Sequence, residues 1–365
     1  MEKENPTQKE VIELPDNENQ EQGGQQSKKR LKLENLKLTI EKLHDCKKED
    51  VIGRNYTRVA LKDPNSFLIG TESKSIVLTK NGEEVYSGKL PGYGYLEGIL
   101  YDPLLDCYFL AYKRKLYRKD LNDKPAYLYM DIECGWEEGV SFRYSNLHQR
   151  LIINKGGKKI SVFNQKTRKV EDELERGVAG LITDFRLFGE QENRVVAVAK
   201  DRHVMLYNLG HDNKVGLADS TQIELLRWST RPRSVAVCDK NKYILVELDQ
   251  CHRPTRCARM LIFEVSENSL VRKACLDTYE DCIAPKWAQE CLGYVGNSIV
   301  WVGLAIEYAG RAHLFAYDID TEELRELVGK RVTHQECDPY ELYRLDGKFY
   351  YTGMMGQVMR LSLGN

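Results

Sequence analysis

From about residue 55 onward the chain alternates between apolar runs of four or five residues and short polar turns. The clearest copy is Leu151-Ile152-Ile153-Asn154, the turn Lys155-Gly156-Gly157-Lys158, then Ile160-Ser161-Val162-Phe163-Asn164. Short apolar runs bounded by turn residues predict strands, and two of them across such a turn predict a hairpin. Matching second strands of the hairpin recur at Ile76-Val77-Leu78-Thr79, Leu116-Tyr117-Arg118-Lys119, Val204-Met205-Leu206-Tyr207, Met260-Leu261-Ile262-Phe263, Leu314-Phe315-Ala316-Tyr317 and Val358-Met359-Arg360-Leu361. Aligned, they put Thr79, Lys119, Phe163, Tyr207, Phe263, Tyr317 and Leu361 in register, at spacings of 40, 44, 44, 56, 54 and 44. A period in the forties built from strands without helices is that of a β-propeller, one four-stranded blade per repeat. The expected fold class is therefore all-β, a seven-bladed β-propeller.

The blades are expected at 55–92, 93–137, 138–180, 181–230, 231–282, 283–337 and 338–365. Each opens with an inner strand, among them Arg58-Val59-Ala60-Leu61, Gly98-Ile99-Leu100-Tyr101 and Tyr340-Glu341-Leu342-Tyr343, with a weaker one at Ala284–Tyr294. Turn signals such as Asp102-Pro103 and Leu345-Asp346-Gly347 follow on schedule. The seventh blade stops after its third strand, so its fourth must come from elsewhere. Leu36, Leu38 and Ile40 alternate with Lys37, Thr39 and Glu41, the period of a strand. A closing strand at 36–45 would remove the exposed edges and tie the first blade to the last. The domain organisation is then a polar tail over 1–35 and a single propeller over 36–365.

Composition narrows the function classes. With 54 basic and 55 acidic residues the formal net charge is −1, so no global field draws in nucleic acid or an acidic membrane. Residues 1–26 are rich in Glu, Gln and Asn and have no apolar segment, so neither folding on their own nor a signal peptide is expected. No apolar run is long enough for a membrane-spanning helix. The ten cysteines are scattered, and in an intracellular chain they read as small buried hydrophobes. The basic cluster Lys28, Lys29, Arg30 and Lys32 is accessible to nuclear import receptors or acidic partners, so a cytoplasmic or nuclear location is expected.

These repeats resemble the WD40 family of β-propellers over about residues 36–365. The likeness rests on the seven repeats and on third-strand endings such as Ser161-Val162-Phe163-Asn164-Gln165-Lys166-Thr167 and Leu314-Phe315-Ala316-Tyr317-Asp318-Ile319-Asp320-Thr321. The chain has no Trp-Asp dipeptide, and its Gly210-His211 pair follows a third strand. The resemblance implies a scaffold that presents one face to partner proteins or peptides.

Candidate binding residues lie in the connections leading into inner strands, which a propeller gathers on one face around the channel mouth. Tyr93, Tyr95, Trp136, Trp228 and Trp287 supply rigid amphipathic anchors there. Arg231 and Arg233, with Glu97, Glu137, Glu138 and Asp184, add charge-assisted hydrogen bonds. Blades two and three also carry basic strand ends, including Lys115, Arg118, Lys119, Lys159 and Arg168. They read as a solvated outer edge or as a surface for phosphate or acidic peptide.

Two metal readings stay open at this point. Asp249 to Arg259 interrupts the central hairpin of the fifth blade, and Cys251, His252 and Cys257 fall close together there, without the usual zinc-ligand spacing. Glu97-Gly98 and Glu138-Gly139 resemble the Glu-Gly openings of calcium-dependent lactonase propellers, whose converging carboxylates hold a hard cation. No nucleophile elbow, Walker loop or zinc-hydrolase helix occurs. The expected function is a non-enzymatic, cofactor-free interaction scaffold. The alternatives are a lactonase-like metal-dependent hydrolase and a subunit of a nuclear chromatin or RNA-associated complex.

Overall fold

A computed structural model describes residues 9–12, 37–44, 57–71, 75–90, 96–112, 115–132, 141–154, 159–175, 181–189, 191–199, 201–210, 212, 214–223, 230–238, 242–250, 258–278, 293–295, 298–304, 312–326, 339–345, 348–353 and 358–364, some of them in backbone only. They form seven antiparallel sheets, six of them meanders in chain order. Blade one is Thr57–Asp63, Ser66–Thr71, Ser75–Lys80 and Glu83–Lys89. Blade two is Leu96–Asp102, Cys107–Tyr112, Lys115–Asp120 and Tyr127–Asp131. Blade three is Ser141–Ser145, Arg150–Asn154, Lys159–Asn164 and Lys169–Glu175. Blade four is Ile182–Phe188, Arg194–Ala199, His203–Leu209 and Val215–Gln222. Blade five is Thr230–Val237, Tyr243–Gln250, Ala258–Val265 and Leu270–Thr278. Blade six is Gly293–Val295, Ser298–Leu304, Ala312–Asp318 and Glu323–Glu326. Among the described residues no helix is long and apolar enough to cross a membrane.

The seventh sheet combines Pro339–Leu345, Lys348–Gly353 and Val358–Gly364 with the N-terminal strand Lys37–His44. Lys37–His44 pairs antiparallel with Val358–Gly364, Ile40 facing Leu361 and Lys37 facing Gly364. Glu41 and Arg360 form an ion pair across this join. The ring is thus closed by the strand that the alternation at 36–45 predicted.

Within the tail, Lys9–Ile12 pairs as a strand on the outer edge of the closing strand, Lys9 opposite Glu41 and Ile12 opposite Leu38. An outer edge strand offers a row of backbone donors and acceptors, and the short run Val11-Ile12 is the most apolar part of the tail. In blade six the described part of the inner strand is Gly293–Val295, with Tyr294 opposite Ile299; residues 284–292 of the expected segment lie outside the described residues.

Registers follow the repeat closely. Thr79, Lys119, Phe163, Tyr207, Phe263, Tyr317 and Leu361 pair with Phe67, Tyr108, Leu151, Val195, Ile244, Ile299 and Phe349. Each partner is the second residue of its strand, so one local rule repeats around the ring. Because successive side chains point to opposite faces of a strand, each blade shows one apolar set to each neighbour. Ile152 and Val162 pack towards blade four with Phe185, Ala197 and Tyr207. Leu151, Ile153 and Phe163 pack towards blade two with Phe109 and Tyr129. Similar clusters join blades one and two, four and five, five and six, and seven and one. Leu43 of the closing strand and Leu345 pack against the last of these. Stability therefore resides between blades, where apolar surface leaves water.

Polar clasps repeat at the rim. The Asp172 carboxylate accepts the Val215 N–H at 2.8 Å, and Asp219, one blade on, accepts the Leu270 N–H at 2.7 Å. Both acids stop the first amide of the next outer strand from being left without a partner. Cys107 and Cys238 are fully buried, as expected of small apolar side chains, whereas Cys275 is exposed. Burial pushes the Cys107 thiol up to about 12.

Lys119 departs from the expectation of a solvated basic edge. It is wholly buried between blades one and two. Its Nζ donates to the Asp120 and Asn122 carbonyls and sits 4.5 Å from the centre of the Tyr86 ring. The aliphatic stem fills a core position while the ammonium holds two turn carbonyls together. Loss of water pushes its pKa down to about 8. An unfolded lysine titrates near 10.5, so below about pH 8 both states are charged and the burial cost is fully present. Between about 8 and 10.5 the folded state sheds its proton first, and stability rises with pH. Denaturant midpoints of the wild type and Lys119→Met should diverge across that window in favour of the wild type, by up to about 3 kcal/mol. Parallel pH curves would show that the ammonium is not desolvated.

Candidate functional site

The best-built polar cluster among the described residues lies on the inner strands of blades three to five. Phe142-Arg143 and Phe185-Arg186 occupy the same level in consecutive blades: Arg143 is opposite Ile152, Arg186 opposite Val196, each the third residue of its second strand. Alternation places Asp184 on the same side of its strand as Arg186. The Arg186 Nη1 donates to the Asp184 Oδ1 at 2.8 Å and to the Phe185 carbonyl at 2.8 Å. From blade three, the Arg143 Nη2 lies 3.8 Å from the same oxygen, its guanidinium 5.7 Å from the centre of the buried Phe185 ring. From blade five, the Val235 N–H donates to the Asp184 Oδ2 at 3.1 Å. One carboxylate thus ties three successive inner strands.

Next to it, the Thr183 hydroxyl lies 3.1 Å from the Val198 carbonyl of its own blade and 3.1 Å from the Pro232 carbonyl of blade five. Thr183 occupies an irregularity between Ile182 and Asp184, and Arg233 a similar one between Pro232 and Ser234. Such bulges re-aim side chains at the mouths of sheets. Exposure grades across the cluster: the side chains of Arg186, Asp184 and Arg143 are 7%, 13% and 28% exposed. Arg143 is therefore the member that meets solvent.

Of the residues singled out from sequence, Arg231 and Arg233 fall on the inner strand of blade five, Arg231 opposite Asp249, and are described in backbone only. Tyr93, Tyr95, Trp136, Trp228 and Trp287 lie outside the described residues, as do Glu137, Glu138, the group Cys251, His252 and Cys257, and the basic cluster at 28–32. Arg143 and Arg186 were not singled out. The signal that finds them is the Phe-Arg pair recurring one repeat apart on two successive inner strands.

A metal at the channel mouth would need Glu97, Glu138 and Asp184 to converge, and the last of these is otherwise employed. Asp184 is engaged by two guanidiniums and a backbone amide. Gly98, the glycine beside Glu97, is accounted for by packing, because a Cβ there would stand 2.9 Å from the Phe142 ring of the next blade. Among the described residues no three His, Cys, Asp or Glu side chains converge as metal ligands. The basic strand ends of blades two and three are also paired. Arg118 meets Asp120 at 2.7 Å, Lys115 meets Asp131 at 3.8 Å, Lys159 meets Glu173 at 3.4 Å, and Arg168 stacks on Tyr129 at 4.4 Å.

At the opposite mouth, Tyr101 donates to Asp106 at 2.6 Å, and Lys62 of blade one meets the same carboxylate at 2.7 Å. Lys62 and the phenol both lower the Asp106 pKa, while burial and that acid raise the pKa of Tyr101. Burial likewise pushes Tyr144 up to about 12.

No protein-family model and no curated protein sequence matches the chain. Solved structures do. The WD40 β-propeller domain of Doa1 is similar at a TM-score of 0.54 and 14% identity, over 84% of this chain and 93% of that one. The β-propeller domain of Myceliophteria thermophila Cps50 (Swd1) is similar at 0.51 and 13% identity, over 69% of this chain and 80% of that one. At such identities the likeness is one of fold: the chain is a WD40-like β-propeller.

Proposed function

We propose that this propeller is a non-enzymatic protein-binding platform that works through the face where the chain enters each inner strand. The observation that carries the reading is the use of Asp184. The best-placed acid on the inner wall, the one a hydrolytic metal site would need, is committed to Arg143, Arg186 and the Val235 amide. This produces a rigid wall with fixed donors, as a recognition surface requires and a metal cup does not. The WD40-like fold supports the same reading by analogy. In sequence, the connections into the inner strands carry Tyr93, Tyr95, Trp136, Trp228 and Trp287, and blade five adds Arg231 and Arg233, aromatic and arginine anchors of the kind that dominate interface energetics. The basic cluster at 28–32 is taken as an address for nuclear import.

Affinity purification from native extract tests the platform. The intact chain is expected to retain a stoichiometric partner that a folded Trp136→Ala, Trp228→Ala double variant loses. A partner retained equally by both would move binding to another face, and no partner at all would remove the reading.

A further inference from the structure

We infer that the inner wall of blades three to five recognises an acidic segment of a partner protein, with Arg143 as the principal contact. The inference rests on the platform reading above and adds the chemistry of the partner.

The charge distribution points to it. The inner strands of blades three, four and five carry four arginines, Arg143, Arg186, Arg231 and Arg233, against one acid, Asp184. The remaining inner strands carry Arg58, Lys62 and Arg344 against Asp63, Glu97, Asp102 and Glu341. Positive charge is thus gathered on one arc of a chain whose formal net charge is −1. A concave wall of one sign with low-dielectric sides focuses the field and draws in the opposite charge.

The geometry supplies the specificity. Guanidinium groups bind carboxylates best when their planar fork is already fixed. Arg143 is fixed three times over: by its hydrogen bond to the Phe142 carbonyl at 2.8 Å, by the Phe185 ring beneath it, and by the Asp184 oxygen. It is also the cluster member with the largest exposed fraction. Little side-chain entropy remains to be lost when a second carboxylate approaches from the channel. Arg186 takes the buried position, holding Asp184 in place. Recognition through such a wall favours glutamate- or aspartate-rich chain over a nucleic acid. A duplex is too wide for a channel lined by seven inner strands, so a nucleic acid would enter only as a single strand, the case that the oligothymidine below tests.

The test uses the full chain and fluorescein-labelled twelve-residue peptides, one alternating Glu and Ser, one with Gln for Glu, one with Lys for Glu, plus a labelled oligothymidine. Fluorescence anisotropy at low salt is expected to register binding of the Glu peptide alone, weakened severalfold at high salt. Arg143→Gln should weaken it about tenfold, and adding Arg231→Gln and Arg233→Gln should abolish it. Lys159→Gln, on the outer rim, should leave it unchanged. Thermal melting checks that Arg143→Gln is folded; should it not be, Arg143→Lys, which keeps the charge and loses the fork, is read instead, with a severalfold loss expected. Equal affinity for the Glu and Gln peptides, tighter binding of the oligothymidine, or indifference of the Glu peptide to the arginine substitutions would overturn the inference. A native partner that survives the triple arginine substitution would leave the platform standing and overturn this inference alone. The absence of any native partner would remove both.

Discussion

A chain that begins at residue 46, lacking the closing strand, should lose about 4 kcal/mol or more of stability and much of the sharpness of its unfolding transition. Lys37–His44 makes seven registered pairs with Val358–Gly364, each backbone hydrogen bond being worth a net 0.5–1.5 kcal/mol or so. Leu43 and the Glu41–Arg360 ion pair are lost with it, and the cluster between blades seven and one is opened to water. A chain that begins at residue 27 loses only the four pairs of the tail strand, which has water beyond it, and should melt within about 1 kcal/mol of the full chain. Urea titrations of the three chains compare them directly. Coincident curves for both truncations would mean that the ring does not depend on its join.

The second large effect is expected at Asp184. Replacing it with Ala leaves Arg186, whose side chain is 7% exposed, without its carboxylate and strips a partner from the Val235 amide. Removing one member of a buried ion pair costs about 3–5 kcal/mol, because the remaining charge is still out of water. The Phe185 carbonyl still accepts from Arg186, but the Arg143 guanidinium is left beside it as a like charge, so Asp184→Ala is placed within that range. The combined change Asp184→Leu with Arg186→Met should recover most of the loss, since two apolar side chains of similar size carry no stranded charge. A single substitution costing under about 1 kcal/mol would mean that the cluster is solvated and holds no strands together. Recovery in the double variant separates a charge effect from a packing effect.

Much of the fold was legible because the determinants are local. An apolar run, a polar turn and a second run specify a hairpin within a dozen residues, and the repeat makes each blade a check on the others. Hence all seven aligned positions, from Thr79 to Leu361, fall on the same place in their sheets. The closing strand was legible for a different reason: a topology with three strands at one end and one at the other has a single economical solution.

What escaped was set by neighbours distant in the chain. Lys119 reads as a surface charge until Tyr86 from the previous blade and the carbonyls of its own turn enclose it. The outer strands slip by one residue between Leu78 and Thr79, Val162 and Phe163, Leu206 and Tyr207, and Ile262 and Phe263, and no local residue marks the slips. Arg143 and Arg186 each stand as the single arginine of an inner strand, and nothing within that strand marks them as a pair. Their pairing with Asp184 joins three blades, and so lies beyond any single repeat.

The join between the ends of the chain also sets a timetable for its synthesis. Glu41 and Arg360 are ion-paired across 319 residues of sequence. At ribosomal rates of 5–20 residues per second, Lys37–His44 leaves the ribosome roughly 15–60 s before its sheet partner exists. Throughout that interval six blades can fold in order behind it while its edge towards Val358–Gly364 has no partner strand. The tail strand Lys9–Ile12 is made first of all and pairs with the other edge.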